Sequence, residues 1–208
     1  MQSVTTSLAA GGGPRSAAQQ DRRRRILDAT VTLASAGGFD AVQMRTVADR
    51  AGVALGTLYR YFPSKVHLLV SVLAGELASA NDAFERRPLG QRTPHGRVTE
   101  VLDKVGRPLR RAPKLTDALI RAFMFADASA AAETDAVAAQ VRRMLLRAMR
   151  EPGTDGEPTE QQRAVAKVIG DVWLASLVQW VTGRATVSDV EQSLEVAVRL
   201  LLQPPADR

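Results

Sequence analysis

Cationic and hydroxyl-bearing side chains gather in one short part of the sequence, from residue 15 to residue 65. This stretch holds nine Lys or Arg against four acidic residues, while the whole chain of 208 residues carries a net charge of +6. Four of the cations are consecutive, Arg22 to Arg25, and the hydroxyls of Thr57 and Tyr59 precede Lys65. Such groups donate hydrogen bonds to phosphate oxygens, so the pattern predicts a module that binds a polyanion. The arginine run taken alone is more often a solvated helix face.

The same stretch carries the pattern of two short helices joined by a glycine turn. Helical spacing predicts one helix over residues 44–51 and another over residues 55–61, with Gly52 between them. This is the arrangement of a helix-turn-helix, whose second helix enters the DNA major groove, roughly 12 Å wide. Lys65, at the start of the next helix, is expected to hold a phosphate together with free backbone amides. The predicted DNA-binding residues are Arg22, Arg23, Arg24, Arg25, Arg45, Thr46, Ala54, Leu55, Gly56, Thr57, Tyr59, Arg60 and Lys65.

The chain offers little to an enzyme or to a metal site. It has no cysteine, and its two histidines, His67 and His95, stand in different segments. No phosphate-binding glycine loop and no paired-histidine spacing is present. We therefore expect a protein that is not an enzyme and that binds no metal and no resident cofactor.

Composition predicts an all-α fold. Apolar residues make up 45% of the chain and aromatic residues only 4%, with Ala, Val and Leu predominating. No apolar run approaches the roughly 18 residues that cross a bilayer, and the first residues do not resemble a signal peptide. These features favour a cytoplasmic protein that does not interact with a membrane.

Turn signals divide the chain into three predicted regions. Residues 1–18 are expected to be a disordered arm, residues 19–66 a helix-turn-helix domain, and residues 67–208 a helical effector-binding and dimerisation domain. The first helix should run over residues 21–36 and end at a left-handed Gly37-Gly38 cap. Gly106 and Pro108 predict a kink or an early helix end. The spacing of Thr159 to Gln162 and of Ser188 to Glu191 predicts two capping boxes.

Apolar side chains of the third region predict a ligand pocket. Three of the nine candidates are methionines, which adapt to irregular shapes, although for any single one ordinary core filling is the more common explanation. A basic mouth for a polar ligand group is expected at Arg107, Arg110, Arg111 and Lys114, where a solvated face is the alternative. The predicted ligand-binding residues are Val101, Leu102, Val105, Phe123, Met124, Met144, Met149, Trp173 and Leu177.

The helix predicted over residues 159–182 is apolar on two sides. Such a helix needs two partners, which are either two parts of its own core or the core and a second subunit. Together with the last helix it would form a four-helix interface of a homodimer. The predicted dimerisation residues are Leu174, Val178, Trp180, Val181, Val190, Leu194 and Leu201.

The helix-turn-helix segment also resembles a known family. The stretch Ala51-Gly-Val-x-x-Gly-Thr-Leu-Tyr-Arg-Tyr-Phe-Pro-Ser-Lys65 is similar to the DNA-binding signature of the TetR family. This resemblance implies nine helices, three for DNA binding and six for effector binding and dimerisation, and a double-stranded DNA operator with a palindromic sequence. Ala54 and Gln43 depart from the common pattern, since neither side chain is the usual N-cap. A missing cap costs about 1 kcal/mol of local helix stability.

Within that family, further segments resemble the repressors of sterol catabolism. Among them are Phe125-Ala-Asp-Ala-Ser-Ala130 and Asp171-Val-Trp-Leu174, and the similarity extends over residues 19–202. The resemblance implies repression of cholesterol and steroid degradation genes, relieved by a hydrophobic effector that is a steroid-derived catabolite, plausibly a CoA thioester. One alternative is a repressor of efflux or fatty-acid genes that responds to a drug-like or fatty acyl ligand. Another is an architectural DNA-binding protein without an effector.

Overall fold

The computed structural model describes residues 14–87, 89–151, 154 and 156–202, and within these ranges the fold is all-α, as predicted. There is no strand in this part of the chain. The helices are α1 Pro14–Ala41, α2 Met44–Ala51, α3 Leu55–Tyr61, α4 Lys65–Arg86, α5 Pro94–Arg111, α6 Pro113–Met124, a 3₁₀ turn Ala128–Ala130, α7 Ala131–Met149, α8 Glu160–Val181 and α9 Val187–Leu202. Nine helices thus span the described residues, as the family resemblance implies.

Helices α1, α2 and α3 bury apolar side chains in a core that continues into the rest of the described chain, since α1 also packs against α6. Ile26 of α1, Val47 of α2 and Leu58 of α3 are completely buried. Gly52 ends α2 in the left-handed region, at φ 64° and ψ 43°, where glycine carries no Cβ penalty. As predicted, neither Gln43 nor Ala54 supplies a side-chain hydrogen bond to the helix that it precedes.

Helices α4 to α9 form a second bundle. α4 packs against α6 and α7, α8 packs against α6, α7 and α9, and α5 packs against α7 and α9. Ser64 caps α4 through its side-chain oxygen, which accepts from the amides of Val66 and His67. Because α4 is continuous past residue 66, one helix belongs to both of the predicted domains.

Several predicted boundaries are wrong. α1 begins at Pro14, before the predicted start at residue 21, while residues 1–13 of the predicted arm lie outside the described residues. At Gly38, φ is positive as predicted, but ψ is −159°, so the break is not a left-handed cap. α5 continues past Gly106 and Pro108 and ends at Arg111, where the residue before Pro113 is pushed out of the helical region.

The two predicted capping boxes have different outcomes. The box of Thr159 and Gln162 is present at the start of α8. At α9, however, the reciprocal hydrogen bonds join Thr186 and Asp189, with Thr186 N donating to Asp189 Oδ2 at 2.7 Å and Asp189 N donating to Thr186 Oγ1 at 3.2 Å. α9 therefore starts one residue before Ser188, which was the predicted cap.

α8 is more apolar than the sequence analysis predicted. By length and composition alone it could cross a membrane, although a core helix passes the same test. It also carries Lys167 and Asp171, paired at 2.5 Å on its surface. Only 28% of its most apolar window is buried in this chain. Several of its apolar side chains are only partly buried, and Val168 is 44% exposed.

Candidate DNA-binding surface and effector cavity

The turn between α2 and α3 places one face of α3 outward. Val53 N donates to Ala48 O at 3.0 Å, which fixes the angle between the two helices, and Leu58 anchors α3 in the core. Leu55 and Tyr59 are consequently 38% and 46% exposed. Thr57 is half-buried, and the other predicted contact residues of this unit are exposed, namely Arg45, Thr46, Ala54, Gly56 and Arg60. This surface has the size and chemistry of a helix that enters a DNA groove.

The four consecutive arginines have four different surroundings. Arg25 Nη1 donates to Ala51 O at 2.7 Å, which ties α1 to the end of α2. Arg24 pairs with Asp21 at 2.7 Å, Arg23 lies 5.5 Å from the centroid of the Phe62 ring, and Arg22 lines a surface cleft. Successive residues of a helix point about 100° apart, so the run cannot present one face. The structure thus gives Arg25 a structural contact in addition to its predicted role at DNA.

Lys65 also makes a contact that the sequence did not reveal. Its Nζ donates to Phe39 O at 3.2 Å and lies 3.8 Å from the centroid of the Phe39 ring. The backbone amides expected to hold a phosphate beside it are not free, since Ser64 Oγ accepts from Val66 N and His67 N at 3.2 and 3.4 Å. Lys65 therefore joins the end of α1 to the start of α4.

His67 is a junction residue that sequence reasoning did not single out. It is buried, its Nδ1 lies 2.9 Å from Ser64 Oγ, and its Nε2 lies 3.0 Å from Ser129 O in the 3₁₀ turn. The only signal in the sequence is its position three residues after the capping serine. A second contact joins α6 to α1, since Lys114 Nζ of α6 donates to Ala36 O of α1 at 2.9 Å. These contacts connect the DNA-binding helices to the second bundle.

A large apolar cavity of about 670 Å³ lies inside the second bundle, within the range typical of small-molecule sites, roughly 300–1,000 Å³. Five helices, α4 to α8, line it. Four of the nine predicted ligand-binding residues lie in its wall, namely Val105, Phe123, Trp173 and Leu177.

The other five predicted ligand-binding residues do not line the large cavity. Val101, Met144 and Met149 are buried in the core, Met124 is 47% exposed, and Leu102 lines a separate, smaller cavity. The buried methionines therefore fill space in the core, which is the alternative to ligand binding given in the sequence analysis. Sequence reasoning instead missed the wall that α4 contributes, which includes Leu73, Leu77 and Phe84.

The cationic residues at the large cavity are not the predicted ones. Lys104, Arg142 and Lys167 lie in its lining, together with the acids Glu76 and Asp171. None of the four residues predicted to form a basic mouth lies in the lining of the large cavity. Arg107 and Arg110 donate to Asp103, Lys114 reaches α1, and Arg111 does not line the cavity. The two guanidiniums, chiefly that of Arg107, hold the pKa of Asp103 below its usual value.

Some of the predicted dimerisation residues line cavities within the chain, and others lie nearer to its surface. Trp180, Val190 and Leu194 face α5 and line the smaller cavity, and Leu174 lies in the wall of the large cavity. Val178 and Val181 are half-buried, and Leu201 is 36% exposed. Leu201 thus belongs to the exposed large apolar side chains of the two helices, together with Val168 of α8 and Val196 and Leu200 of α9, which were not predicted and are 44%, 38% and 74% exposed.

Two family descriptions match this chain. Residues 26–72 match "Bacterial regulatory proteins, tetR family", and residues 91–201 match "Tetracyclin repressor-like, C-terminal domain". The first match contains the helix-turn-helix, and the second contains four of the five helices that line the large cavity.

Similar proteins are repressors. The chain is 54% identical over 178 residues to the "HTH-type transcriptional repressor KstR" of Mycolicibacterium smegmatis, covering 86% of this chain and 85% of that protein. It is 57% identical to the protein of the same name from Rhodococcus jostii, covering 86% and 81% of the two chains. A weaker match, 29% identity over 80 residues, joins 38% of this chain to 41% of a fatty acid metabolism regulator protein of Bacillus subtilis.

Solved structures share the fold. The crystal structure of a TetR transcriptional regulator from a Rhodococcus species superimposes with a TM-score of 0.80 at 32% identity, covering 91% of this chain and all of that one. The FadR repressor of Thermus thermophilus, solved in complex with lauroyl-CoA, superimposes with a TM-score of 0.68 at 22% identity, covering 89% and 99%.

Proposed function

This chain belongs to the TetR family of bacterial transcriptional regulators, and we propose that it is a dimeric repressor of sterol catabolism genes that a steroid-derived acyl-CoA releases from DNA. The resemblance to the family, and within it to repressors of the KstR type, is confirmed by the two family matches and by relatives 54% and 57% identical over most of the chain. The single observation that carries the proposal is that one chain holds both an outward-facing helix of a helix-turn-helix and a large apolar cavity.

The DNA-binding part of the proposal rests on the exposed side chains of α3. Tyr59 and Arg60 stand outward near the end of the helix, and Thr57 is beside them at half exposure. Hydroxyl and guanidinium groups contact phosphates, while the groove-facing surface of Leu55 and Gly56 allows close approach to bases. A Cβ added at Gly56 would meet no atom within 4 Å, so this position is open to a partner.

The proposed dimer uses the uncovered apolar side of α8 and α9. Val168, Val196 and Leu200 are exposed large apolar residues on these two helices. Two copies that pair through such a surface are related by a two-fold axis, so the DNA site should be an inverted repeat. Its half-sites should be one or more helical turns apart, about 34 Å per turn.

The effector proposal rests on the shape and charge of the large cavity. Its apolar lining suits a fused-ring guest, and Lys104, Arg142 and Lys167 supply cations for the phosphates of a CoA group. Lys167 is already paired with Asp171 and Lys104 with Glu100, whereas Arg142 has no ion-pair partner among the described residues. Arg142 is therefore the cation that we expect to contribute most.

Straight-chain acyl-CoA is the second candidate effector. An apolar cavity also admits an alkyl chain, and the chain has a partial similarity to the fatty acid metabolism regulator of Bacillus subtilis. The two candidates share the CoA group and differ only in the shape of the acyl part. Discrimination between the two acyl-CoA effectors must therefore come from the apolar side chains that line the cavity and not from its cationic residues.

Release from DNA requires that the effector bind better to a conformation in which the two recognition helices are wrongly spaced. The contacts Lys114–Ala36 and His67–Ser129 join the second bundle to α1 and to the start of α4. We propose that rearrangement of these two contacts carries the change from cavity to DNA-binding helices.

The DNA half of the proposal is tested by selecting binding sites from a library of random duplexes. The account predicts recovery of one inverted repeat by the intact protein, and no enrichment by a Tyr59→Ala, Arg60→Ala double variant that retains its melting temperature. Recovery of single half-sites, or of the same sites by the double variant, would contradict it.

A further inference from the structure

Gly170 lies in the middle of α8, at a point where this helix lines the large cavity. Glycine in a helix interior destabilises the helix relative to alanine. A Cβ added at Gly170 would lie 3.2 Å from Val141 Cγ1 of α7, which is tighter than an ordinary van der Waals contact. The missing side chain therefore lets α7 and α8 lie closer together than an alanine would without an adjustment of Val141.

The large cavity reaches the protein surface beside this contact. Arg142 of α7 and Lys167 and Asp171 of α8 line the cavity and are exposed, and we call these three residues the α7–α8 edge. A second exposed part of the lining lies on α4 and α5, at Glu76 and Lys104. A ligand whose apolar part fills the cavity can therefore bring a polar group to the surface at the α7–α8 edge.

The cations of the cavity lining differ in whether an acidic residue already pairs with them. Lys167 Nζ lies 2.5 Å from Asp171 Oδ2, and Lys104 Nζ lies 2.5 Å from Glu100 Oε1. Arg142 has no ion-pair partner among the described residues. A guanidinium also offers several donors in a fixed plane, which suits a phosphate group. Arg142 is thus the cation of this lining that is best able to accept an anionic group of a ligand.

The contact between Val141 and Gly170 lies next to the charged residues of the α7–α8 edge. Arg142 directly follows Val141 in α7, and Lys167 precedes Gly170 by three residues, which places it one turn away on the same side of α8. The contact therefore sets the distance between α7 and α8 at the level of the two cations. A methyl group at residue 170 must displace Val141, and this displacement moves the adjoining Arg142.

We propose that Gly170 is a positioning residue, which keeps Arg142 within reach of a phosphate group on a ligand whose apolar part fills the large cavity. The ligand class is thus an amphiphile with a phosphate group. This inference rests on the acyl-CoA effector proposed above, and it makes the α7–α8 edge the place where the phosphate-bearing part of that effector leaves the cavity. Gly170 itself binds no phosphate and acts only through Arg142.

Decyl phosphate and decanol test this assignment without CoA and without a steroid. The two probes share their alkyl chain and differ in the phosphate group. Trp173 lines the large cavity, so a change in its fluorescence emission measures the binding of either probe. The quantity to compare between variants is the dissociation constant of decanol divided by that of decyl phosphate, which we call the phosphate preference.

Gly170→Ala should lower the phosphate preference about five-fold or more, because the hydrogen bonds of Arg142 to the phosphate are lost while the alkyl chain stays bound. Adding Val141→Ala makes room for the new methyl group and should restore the preference to within about two-fold of the wild type. Gly75→Ala is the matched control in the middle of α4, since a Cβ there would meet no atom within 4 Å, and it should change nothing. In an Arg142→Ala background the preference should already be low, and Gly170→Ala should not lower it further.

Equal weakening of both probes by Gly170→Ala would overturn the proposal, because it would show that the methyl group only narrows the cavity. An unchanged phosphate preference, a wild-type protein that does not bind decyl phosphate, or a further loss in the Arg142→Ala background would overturn it as well. If Gly170→Ala does not fold, Val141→Ile enlarges the other side of the same contact and should lower the preference in the same way.

The two proposals fail separately. If no acyl-CoA releases the operator but the probe results hold, the proposed function is wrong and the role of Gly170 stands. If acyl-CoA releases DNA from the Gly170→Ala variant as readily as from the wild type, the role of Gly170 is wrong and the proposed function stands.

Discussion

The Lys65 ammonium lies 3.8 Å from the centroid of the Phe39 ring and donates a hydrogen bond to the Phe39 carbonyl oxygen at 3.2 Å. The same ring lies 6.0 Å from that of Phe125, just after α6. One aromatic side chain therefore joins the first residue of α4 to the end of α6. A ligand that moves α6 acts on this contact as well as on the Lys114–Ala36 hydrogen bond.

This contact predicts different effects for two cations of the DNA-binding unit. Arg60→Ala should flatten the slope of log affinity against log salt by about 0.9, since an exposed arginine that binds a phosphate releases one counterion. Lys65→Ala should weaken DNA binding with a smaller change of slope and should also lower the melting temperature, because it removes the tie to Phe39. Fluorescence anisotropy at five salt concentrations measures both slopes. Equal slopes for the two variants would show that Lys65 acts as a phosphate contact.

The uncovered apolar side chains predict the dimer interface. Val168→Glu and Leu200→Glu should shift the protein from dimer to monomer, because a charge would be buried without a partner at the subunit contact. Met124→Glu is the control, since Met124 is an apolar residue of α6, away from α8 and α9, with an exposure close to that of Val168. Light scattering on a sizing column measures the mass. Intact dimers for both α8 and α9 variants would place the interface elsewhere.

Arg97 is predicted to be the most important buried cation for stability. It is 4% exposed and donates to Ala148 O and Arg150 O, at the end of α7, at 2.8 and 3.0 Å, and to Arg92 O, before α5, at 2.5 Å. Arg97→Met should lower the free energy of unfolding by about 3 kcal/mol, because these acceptors lose their donor. Arg143→Met, which removes an exposed ion pair with Glu85, should cost under about 1 kcal/mol in the same denaturant titration. Similar losses for both variants would contradict this ranking.

The 3₁₀ turn predicts a pH-dependent contribution to stability. The Ser129 hydroxyl and amide donate to Asp127 Oδ1 at 2.6 and 2.9 Å and hold the pKa of that carboxyl below its ordinary value. A depressed folded-state pKa stabilises the protein above the ordinary value of 3.8, and the contribution is lost as the pH falls through the folded-state pKa. Asp127→Asn should therefore lower the melting temperature at pH 7 and make no difference in strong acid. Asp135→Asn, at an exposed position on α7, is the control; a deficit for Asp127→Asn that persists in strong acid would contradict the assignment.

The features that were predicted correctly from the sequence depend on residues close to one another in the chain. The bounds of α2 and α3, the glycine turn between them and the Ser64 cap each depend on residues within one or two helical turns. The error at α9 is instructive, since Ser188 with Glu191 has the same spacing as Thr186 with Asp189. Which of the two capping boxes forms depends on the path by which the chain enters the helix.

What the sequence could not predict depends on which helix faces meet. Met144 and Leu177 are both apolar residues at helical spacing, yet the first is buried away from the large cavity and the second lies in the cavity wall. The period of the apolar residues shows which side of a helix is buried, but not which other helix or cavity lies against that side. The same limit applies to Trp180, which was expected at a subunit contact and lines a cavity together with residues of α5 and α9 of its own chain.

The most direct test of the account is a titration of the protein–operator complex with three compounds: a steroid-ring acyl-CoA, the corresponding free steroid and a straight-chain acyl-CoA. The account predicts that the steroid-ring acyl-CoA releases DNA at the lowest concentration. Arg142→Ala should weaken that response without changing DNA affinity in the absence of ligand. Operator DNA should in turn weaken binding of the same compound by the same factor, because coupling between two sites is reciprocal. Release by the straight-chain acyl-CoA alone would contradict the sterol assignment, and release by none of the three would contradict the effector-controlled repressor proposed here.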